Sequence, residues 1–545
     1  MEQLSGQDAS FVYFETQNTP MHIGSVAIYD PSTAPGGFVR FKDILRHIET
    51  RLGGAKSFRQ KLVRVPFDLD HPYWIEDPDF DLEYHVRHIA LPKPGDWRQL
   101  CIQTARLHAR ALDLTKPLWE FWVVEGLDNI EGLPPGCFAL ISKVHHAAID
   151  GMSGVEMSAA VHDLTATPPA AKPQPDNWKP EKDPQIGELL VRSWINQLRQ
   201  PMRFAETVAK SVPGMARLAQ QVTGGDVSLS GARTAPNTLF NGTVGPHRVW
   251  DAVALPLADI RAIKDRLPGA TVNDAILTVI GGGLRHYLMS RNALPAESMS
   301  AMAPISVRAE NEKAALGNLV SAMVVKLGTQ IADPMDRLAY IHGEAKNSKA
   351  MTNAVGARTL TDYSQLIPSG LAGLGARLYT RLGIANRHAP VFNCVATNVP
   401  GSPVPLYFAG AKMLKMMGFG PIFDGMGLIN AIYSYAGDIA IGFTSDRDMM
   451  PDPANYAAAL RKSFEELRDA KPKPAGAASK PAKTEKQAKA KAVAPPPPPA
   501  PARPKRASKA AVAKTIAKPA AKAKTSAAPT KRKGPKNGQG KNAGR

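Results

Sequence analysis

The stretch Phe138-Ala139-Leu140-Ile141-Ser142-Lys143-Val144-His145-His146-Ala147-Ala148-Ile149-Asp150-Gly151 decides how the rest of the chain is read. Its first seven residues are a short, mostly apolar run with branched side chains, the pattern of a buried strand. Two histidines follow, then an aspartate four residues after the second, then a glycine. Ser153 and the apolar residues from Val155 onward predict a helix to about His162. A strand that runs into His-His before an Asp-Gly turn sets an imidazole at the mouth of a sheet, where α/β proteins build sites from converging loops.

Histidine is the side chain best suited to accept a proton near neutral pH. Adjacent histidines on extended backbone point to opposite sides, so one can face a cavity while the other faces structure or lines the opposite wall. We assign His146 as the base and His145 as its support. Asp150 fixes the loop, its carboxylate pairing with an arginine rather than with the base, and Gly151 supplies a backbone conformation costly for other residues. A His-His pair also reads as two metal ligands, but neither Cys nor Glu stands nearby at ligand spacing. Cys101, Cys137 and Cys394 form no zinc pattern, so the expectation is no metal. The chain contains no Gly-x-Ser-x-Gly elbow, which argues against a serine hydrolase.

His-His-x-x-x-Asp-Gly resembles the signature of the CoA-dependent acyltransferase superfamily, which includes chloramphenicol acetyltransferases, carnitine acyltransferases and peptide-synthetase condensation domains. More of the chain, from the N-terminus to about residue 455, is similar to the bacterial wax ester synthase/diacylglycerol acyltransferase family. The similarity runs through Leu4-Ser5-Gly6-Gln7-Asp8-Ala9-Ser10-Phe11, Glu15, Pro20-Met21-His22-Ile23-Gly24, Pro117-Leu118-Trp119, Asn273-Asp274 and Asn398-Val399-Pro400-Gly401. It implies an α/β fold of two acyltransferase-like domains, each a mixed sheet flanked by helices, with the active-site channel at their interface. Pro117, Leu118 and Trp119 read from the residues as a packed turn anchoring the next strand; the resemblance puts them near the acyl-binding cavity. Asn273 and Asp274 read as a helix cap, and the resemblance makes them a hallmark pair that supports the site or helix packing, with Asn273 a candidate oxyanion donor. Arg308, at the end of a strand over 304–308, is the candidate partner of Asp150, holding the histidine loop in shape.

The 545 residues, 44% hydrophobic, suffice for two or three domains. We divide them into an N-terminal acyltransferase domain (1–165), a proline-rich linker with amphipathic crossover helices (166–245), a C-terminal acyltransferase domain (246–470) and a basic tail (471–545). The helix predicted over 101–112 ends at Pro117, and Trp250, Leu257 and Thr271 open a strand and two helices of the second half. His22, His71, His85 and His88 are taken as structural or surface residues. The amphipathic stretch 186–222 carries Arg192, Arg199, Arg203, Lys210 and Arg217 among apolar positions. It reads equally as a lipid-surface helix and as a connector packed on both domains.

Formal charge is +19, and the tail accounts for all of it: residues 471–545 hold 21 Lys and Arg against a single acid, Glu485. With no aromatic residue and a proline run over 495–499, the tail is expected to be disordered. It would attract polyanions, whether nucleic acid, polyphosphate or anionic lipid, and without stacking aromatics it does not read sequence. No apolar run is long enough to span a bilayer and no signal peptide opens the chain. The expectation is a cytoplasmic protein, peripheral at a membrane or lipid-inclusion surface.

The resemblance implies transfer of a long-chain fatty acyl group from acyl-CoA, as co-substrate with no bound cofactor, to diacylglycerol or a fatty alcohol. Rival readings are a condensation-type acyltransferase acting on an amine or carrier-bound substrate, a polyanion-binding module working through the tail, and a non-catalytic lipid-droplet protein.

Overall fold

The computed structural model describes residues 1–149, 153–167, 179–198, 235–306, 320–355 and 389–471. In the first half run β1 (Glu2–Gln3), α1 (Gly6–Phe14), β2 (His22–Asp30), α2 (Phe41–Glu49), β3 (Gln60–Val63) and β4 (Tyr73–Glu76). They are followed by α3 (Leu82–His85), β5 (Val86–Ala90), α4 (Trp97–His108), β6 (Trp119–Glu125), β7 (Phe138–His145) and α5 (Ser153–Val161). A further helix, α6, covers residues 186–198. The second half contributes β8 (Arg248–Pro256), α7 (Leu257–Lys264), α8 (Val272–Ser290), β9 (Ser300–Ser306), β10 (Val320–Lys326) and α9 (Pro334–Val355). It ends with β11 (Cys394–Pro400), β12 (Tyr407–Phe408), β13 (Ala411–Phe419), β14 (Leu428–Tyr435), β15 (Asp438–Asp446) and α10 (Pro453–Asp469).

Two six-stranded mixed sheets, flanked by helices, hold most of the strands, in the orders β12-β13-β2-β7-β6-β5 and β10-β9-β11-β14-β15-β8, and β1-β4-β3 form a separate three-stranded sheet. The expected α/β class is therefore what forms. The histidine strand β7 is central in the first sheet, antiparallel to β2 on one side and to β6 on the other. Seven of its eight residues are buried, as a central strand covered on both faces requires.

The two sheets exchange chain. β12 and β13 come late in the sequence yet belong to the first sheet, where β13 pairs with β2 from Lys412↔Asp30 to Phe419↔Gly24. β13 also lies against β15 of the second sheet, so the sheets meet through it. Their backbones approach closely there: a Cβ on Gly442 would stand 2.0 Å from the Gly418 carbonyl oxygen, which only glycine avoids. The same carbonyl accepts a hydrogen bond from the Trp250 indole of β8 at 3.0 Å. The described residues, from Met1 to Lys471, form one compact unit.

Two expected elements are shifted. The helix expected over 101–112 spans Trp97–His108, opened by an Asp96–Gln99 capping box. It ends well before Pro117, because the Leu107 and Arg110 carbonyls turn to the buried Lys143 ammonium, at 3.3 and 3.0 Å. The strand expected over 304–308 is β9, Ser300–Ser306. Its pairing with β11 stops at Met302, so Pro304 falls where no partner on that side needs an N–H. Asp150, Gly151 and Arg308 lie outside the described residues, as do the linker over 168–178, the crossover region over 199–234 and the basic tail beyond Lys471.

Three hydrogen-bonded histidines, His22 and His108 buried and His162 half-buried, are held neutral by loss of solvent. His22 accepts from the Leu112 N–H at 3.2 Å, and His108 Nε2 donates to the Gly420 carbonyl at 2.9 Å. His162 Nδ1 donates to the Ser158 carbonyl, leaving Nε2 to accept from the Tyr29 hydroxyl at 2.7 Å. Burial holds His22 well below the usual imidazole range, His108 at about 3 and His162 at about 4. A folded-state pKa below the unfolded value of about 6.5 means that the unfolded chain binds the extra protons. Their stabilising effect is full above pH 6.5 and is lost as pH falls toward the folded values, on the order of 1–2 kcal/mol per histidine by pH 5. Thermal unfolding followed between pH 7.5 and 5 should show a falling midpoint that steepens below about pH 6.5; a midpoint independent of pH across that range would contradict this.

Candidate active site

β7 delivers the two histidines to different surroundings. The His145 backbone N–H donates to the Leu118 carbonyl at 2.9 Å, and that of His146 donates to the Met21 carbonyl at 2.8 Å. The chain then leaves the sheet through one turn of 3-10 helix, His146–Ala148. The two side chains consequently part, as adjacent residues on extended backbone do.

His145 has no exposed surface. Its Nδ1 accepts from the Ala147 N–H at 3.0 Å, which requires the proton to sit on Nε2. That nitrogen donates to Glu15 Oε2 at 2.5 Å, a short, charge-assisted contact. With both ring nitrogens committed, His145 cannot exchange protons with a substrate. It ties the strand end to the residue that closes α1 and fixes the turn on which His146 sits.

His146 is the freer of the two. It keeps part of its surface accessible, while its Nδ1 is buried with no hydrogen-bond partner among the described residues. The ring stacks on Phe11 with centroids 3.8 Å apart and planes 12° from parallel. Burial pushes its pKa down to about 4, so at neutral pH the ring is uncharged and able to accept a proton. Phe11 and Glu15 are four residues apart on α1 and its C-terminal cap, hence on one face. A single helix thus supplies both the aromatic plate under His146 and the carboxylate that grips His145.

Beneath the pair lies a polar layer inside the first half. The His22 ring meets that of His145 edge-on at 5.9 Å and that of His108 at 6.3 Å. Lys143, 2% exposed, pairs with Glu120 at 3.0 Å. The second half touches the same region: the Arg248 guanidinium donates to the Asn18 carbonyl, in the turn following Glu15, and to the Gly245 carbonyl at 2.7 Å. Trp97 donates to Asp251 of β8 at 2.8 Å. The junction of the halves therefore runs past the histidine turn.

The remaining candidates are placed as follows. Leu118 and Trp119 have no exposed surface. The Leu118 carbonyl holds His145, and the Trp119 indole donates to the Phe58 carbonyl at 2.9 Å while stacking on His85. Pro117 is buried beside them. The packed-turn reading accounts for these contacts, and the turn braces the catalytic strand. Asp274 completes a capping box with Thr271 at the start of α8 and takes a hydrogen bond from His342 of α9 at 2.9 Å; it joins two helices and is not bonded to the histidine turn. Asn273 is half-buried in the same first turn. His71 meets Tyr13 and His88 meets Glu125, each in a local pairing. Glu15, quoted above only for the family similarity, and Lys143 are neighbours of the histidine turn whose contacts the sequence reading did not give.

Comparison with known proteins identifies the family. Residues 4–276 match the wax ester synthase/diacylglycerol acyltransferase catalytic domain, and residues 316–468 the C-terminal domain of that family. A relative from Mycobacterium tuberculosis H37Rv, provisionally named a diacyglycerol O-acyltransferase, is 32% identical over 469 residues, covering 86% of this chain and 90% of its own. A second from the same strain, with the same provisional name, is 33% identical over 470 residues, covering 86% and 99%. Among solved structures, the wax ester synthase/diacylglycerol acyltransferase from Marinobacter aquaeolei VT8 superposes with a TM-score of 0.60 at 25% identity, over 86% of this chain and 98% of that one. The first condensation domain of the calcium-dependent antibiotic synthetase shares the fold, with a TM-score of 0.50 at 14% identity over 86% and 95% of the two chains. The chain belongs to the wax ester synthase/diacylglycerol acyltransferase family.

Proposed function

We propose that this acyltransferase moves a long-chain fatty acyl group from acyl-CoA to the hydroxyl of a lipid acceptor, diacylglycerol or a fatty alcohol, with His146 as general base. The observation that carries the assignment is the division of labour between the two rings: His145 is bound at both nitrogens, whereas His146 is neutral, stacked and still accessible. Homology to chains named for diacylglycerol acyl transfer supports the acceptor class.

In this mechanism the neutral His146 ring accepts the acceptor's hydroxyl proton as the oxygen attacks the thioester carbonyl. A C–O bond forms and the carbonyl becomes a tetrahedral oxyanion. Its collapse breaks the C–S bond, and the departing thiolate of coenzyme A receives the proton from the imidazolium. Atoms and charge balance without a covalent enzyme intermediate, so the reaction asks for no nucleophilic serine or cysteine. The low pKa means that the imidazolium exists only fleetingly and gives its proton up readily to the thiolate. Glu15 acts through His145, holding the strand end and its 3-10 turn in register. General base assistance of this kind is worth about 10²–10⁴-fold.

His146→Ala should lower acyl transfer from palmitoyl-CoA to a mixture of diacylglycerol and hexadecanol by about 10²-fold or more, with circular dichroism and thermal midpoint unchanged. Retention of most of the activity by the purified, folded variant would remove the base from the mechanism. Removal of the carboxylate in Glu15→Ala should lower kcat by about tenfold or more, with a smaller change in acceptor KM, because the binding surfaces stay while the turn carrying the base loosens. Glu15→Gln, which can still accept from His145, should recover part of the loss. An unchanged kcat in Glu15→Ala would show that the clamp does not position the base.

A further inference from the structure

Helix α6 rests on the protein through Leu189 and Ser193, both buried, and the half-buried Asn196, at successive turns of one face, and leaves large apolar residues exposed beside the Glu188–Arg192 pair. Leu189 packs with Val65 and Tyr73. Asn196 donates to the Asp70 carboxylate at 2.7 Å and to the Tyr73 hydroxyl at 3.1 Å, and Gln197 donates to the Leu69 carbonyl at 3.0 Å. On the opposite face Val191, Trp194, Ile195 and Leu198 are 59, 65, 40 and 62% exposed. The turn that α6 grips adds to this crest: Phe67, held at φ 59°, is 90% exposed, and Leu69 is 43% exposed.

The outer face of a water-facing helix is ordinarily polar, and an exposed apolar patch drawn from two elements marks a binding surface. Three observations select the occupant. The patch joins a turn tip to a helix face, and its side chains stand far out into solvent, Phe67 most of all, where they can enter a deformable layer. It pairs a tryptophan and a phenylalanine with branched aliphatics, the composition of helices that lie in the headgroup region. The sequence directly after it carries Arg199, Arg203, Lys210 and Arg217 among apolar residues, complementary to anionic headgroups. Among the described residues no helix is long and apolar enough to cross a membrane, so attachment by this crest lies on the surface rather than through it.

We propose that the crest formed by α6 and the Phe67 turn docks the enzyme on an anionic phospholipid surface. The proposal builds on the reading that the acceptor is a lipid, since docking there brings the active-site turn to the phase in which such an acceptor is dissolved.

The test uses the full-length protein and vesicles of phosphatidylcholine and phosphatidylglycerol at about 0.5 M NaCl, where long-range attraction by the basic tail is screened. The triple variant Phe67→Ser/Trp194→Ser/Leu198→Ser should lose about tenfold or more of its partitioning into the vesicle pellet, since three inserted side chains are removed. It should keep its thermal midpoint and its acyl transfer to a short, water-soluble alcohol. Equal partitioning of variant and wild type would overturn the proposal, as would a wild type that stays in the supernatant. So would a wild-type dimer that the triple variant dissolves while neither form pellets, because the occupant would then be a second copy. A wild type that partitions through the crest but transfers no acyl group would overturn the functional reading and leave the docking surface supported.

Discussion

The contact between Glu15 and His145 is the constraint on which the site depends. It joins the cap of the first helix to the end of a central strand, with the His145 side chain fully buried and that of Glu15 10% exposed. A carboxylate buried there without its partner would carry a large desolvation cost, and so would an imidazole with an unmet N–H. The pair therefore holds in one arrangement, and that arrangement aims the next residue, His146, out of the sheet and onto Phe11.

The rest of the first half backs this contact. Lys143 and Glu120 close the strand against the end of α4, and Leu118 and Trp119 hold its other edge. The exchange of β12 and β13 into the first sheet makes the second half part of the same support. Arg248 reaches across to the turn that follows Glu15, so a change in how the halves meet bears on the carboxylate before it bears on the base. The chemistry needs a neutral ring that is sheltered yet reachable. Burial supplies the shelter, and the parting of the two histidines at the strand end supplies the access.

Much of this was legible in the residues. The apolar run before His145 read as a strand because a central strand covered on both faces leaves a continuous hydrophobic signature. The capping chemistry of Thr271 and Asp274 followed from local spacing, and the alternation of the two rings followed from strand geometry. Glu15 was not legible as a partner: 130 residues separate it from His145, and a carboxylate at the end of a short helix looks like any surface acid. The i, i+4 relation of Phe11 and Glu15 was the available signal, but it becomes meaningful only once α1 is laid against the histidine turn. Lys143 interrupts an apolar run, an oddity whose cause, the open carbonyls at the end of α4, lies in tertiary structure. The early end of that helix was missed for the same reason. The strand exchange between sheets has no local signature, because β13 reads as an ordinary strand of the half in which it occurs.

His146 is neutral in the working enzyme because partial burial of its ring depresses its pKa, with His145 held apart as a clamp. Histidine ring ¹⁵N NMR of the full-length protein, with the His146 signal assigned by comparison with His146→Ala, tests this directly. The ring should remain neutral throughout the neutral range and begin to protonate only near pH 4. A His146 signal titrating at the ordinary solvent value of about 6.5 would contradict the account.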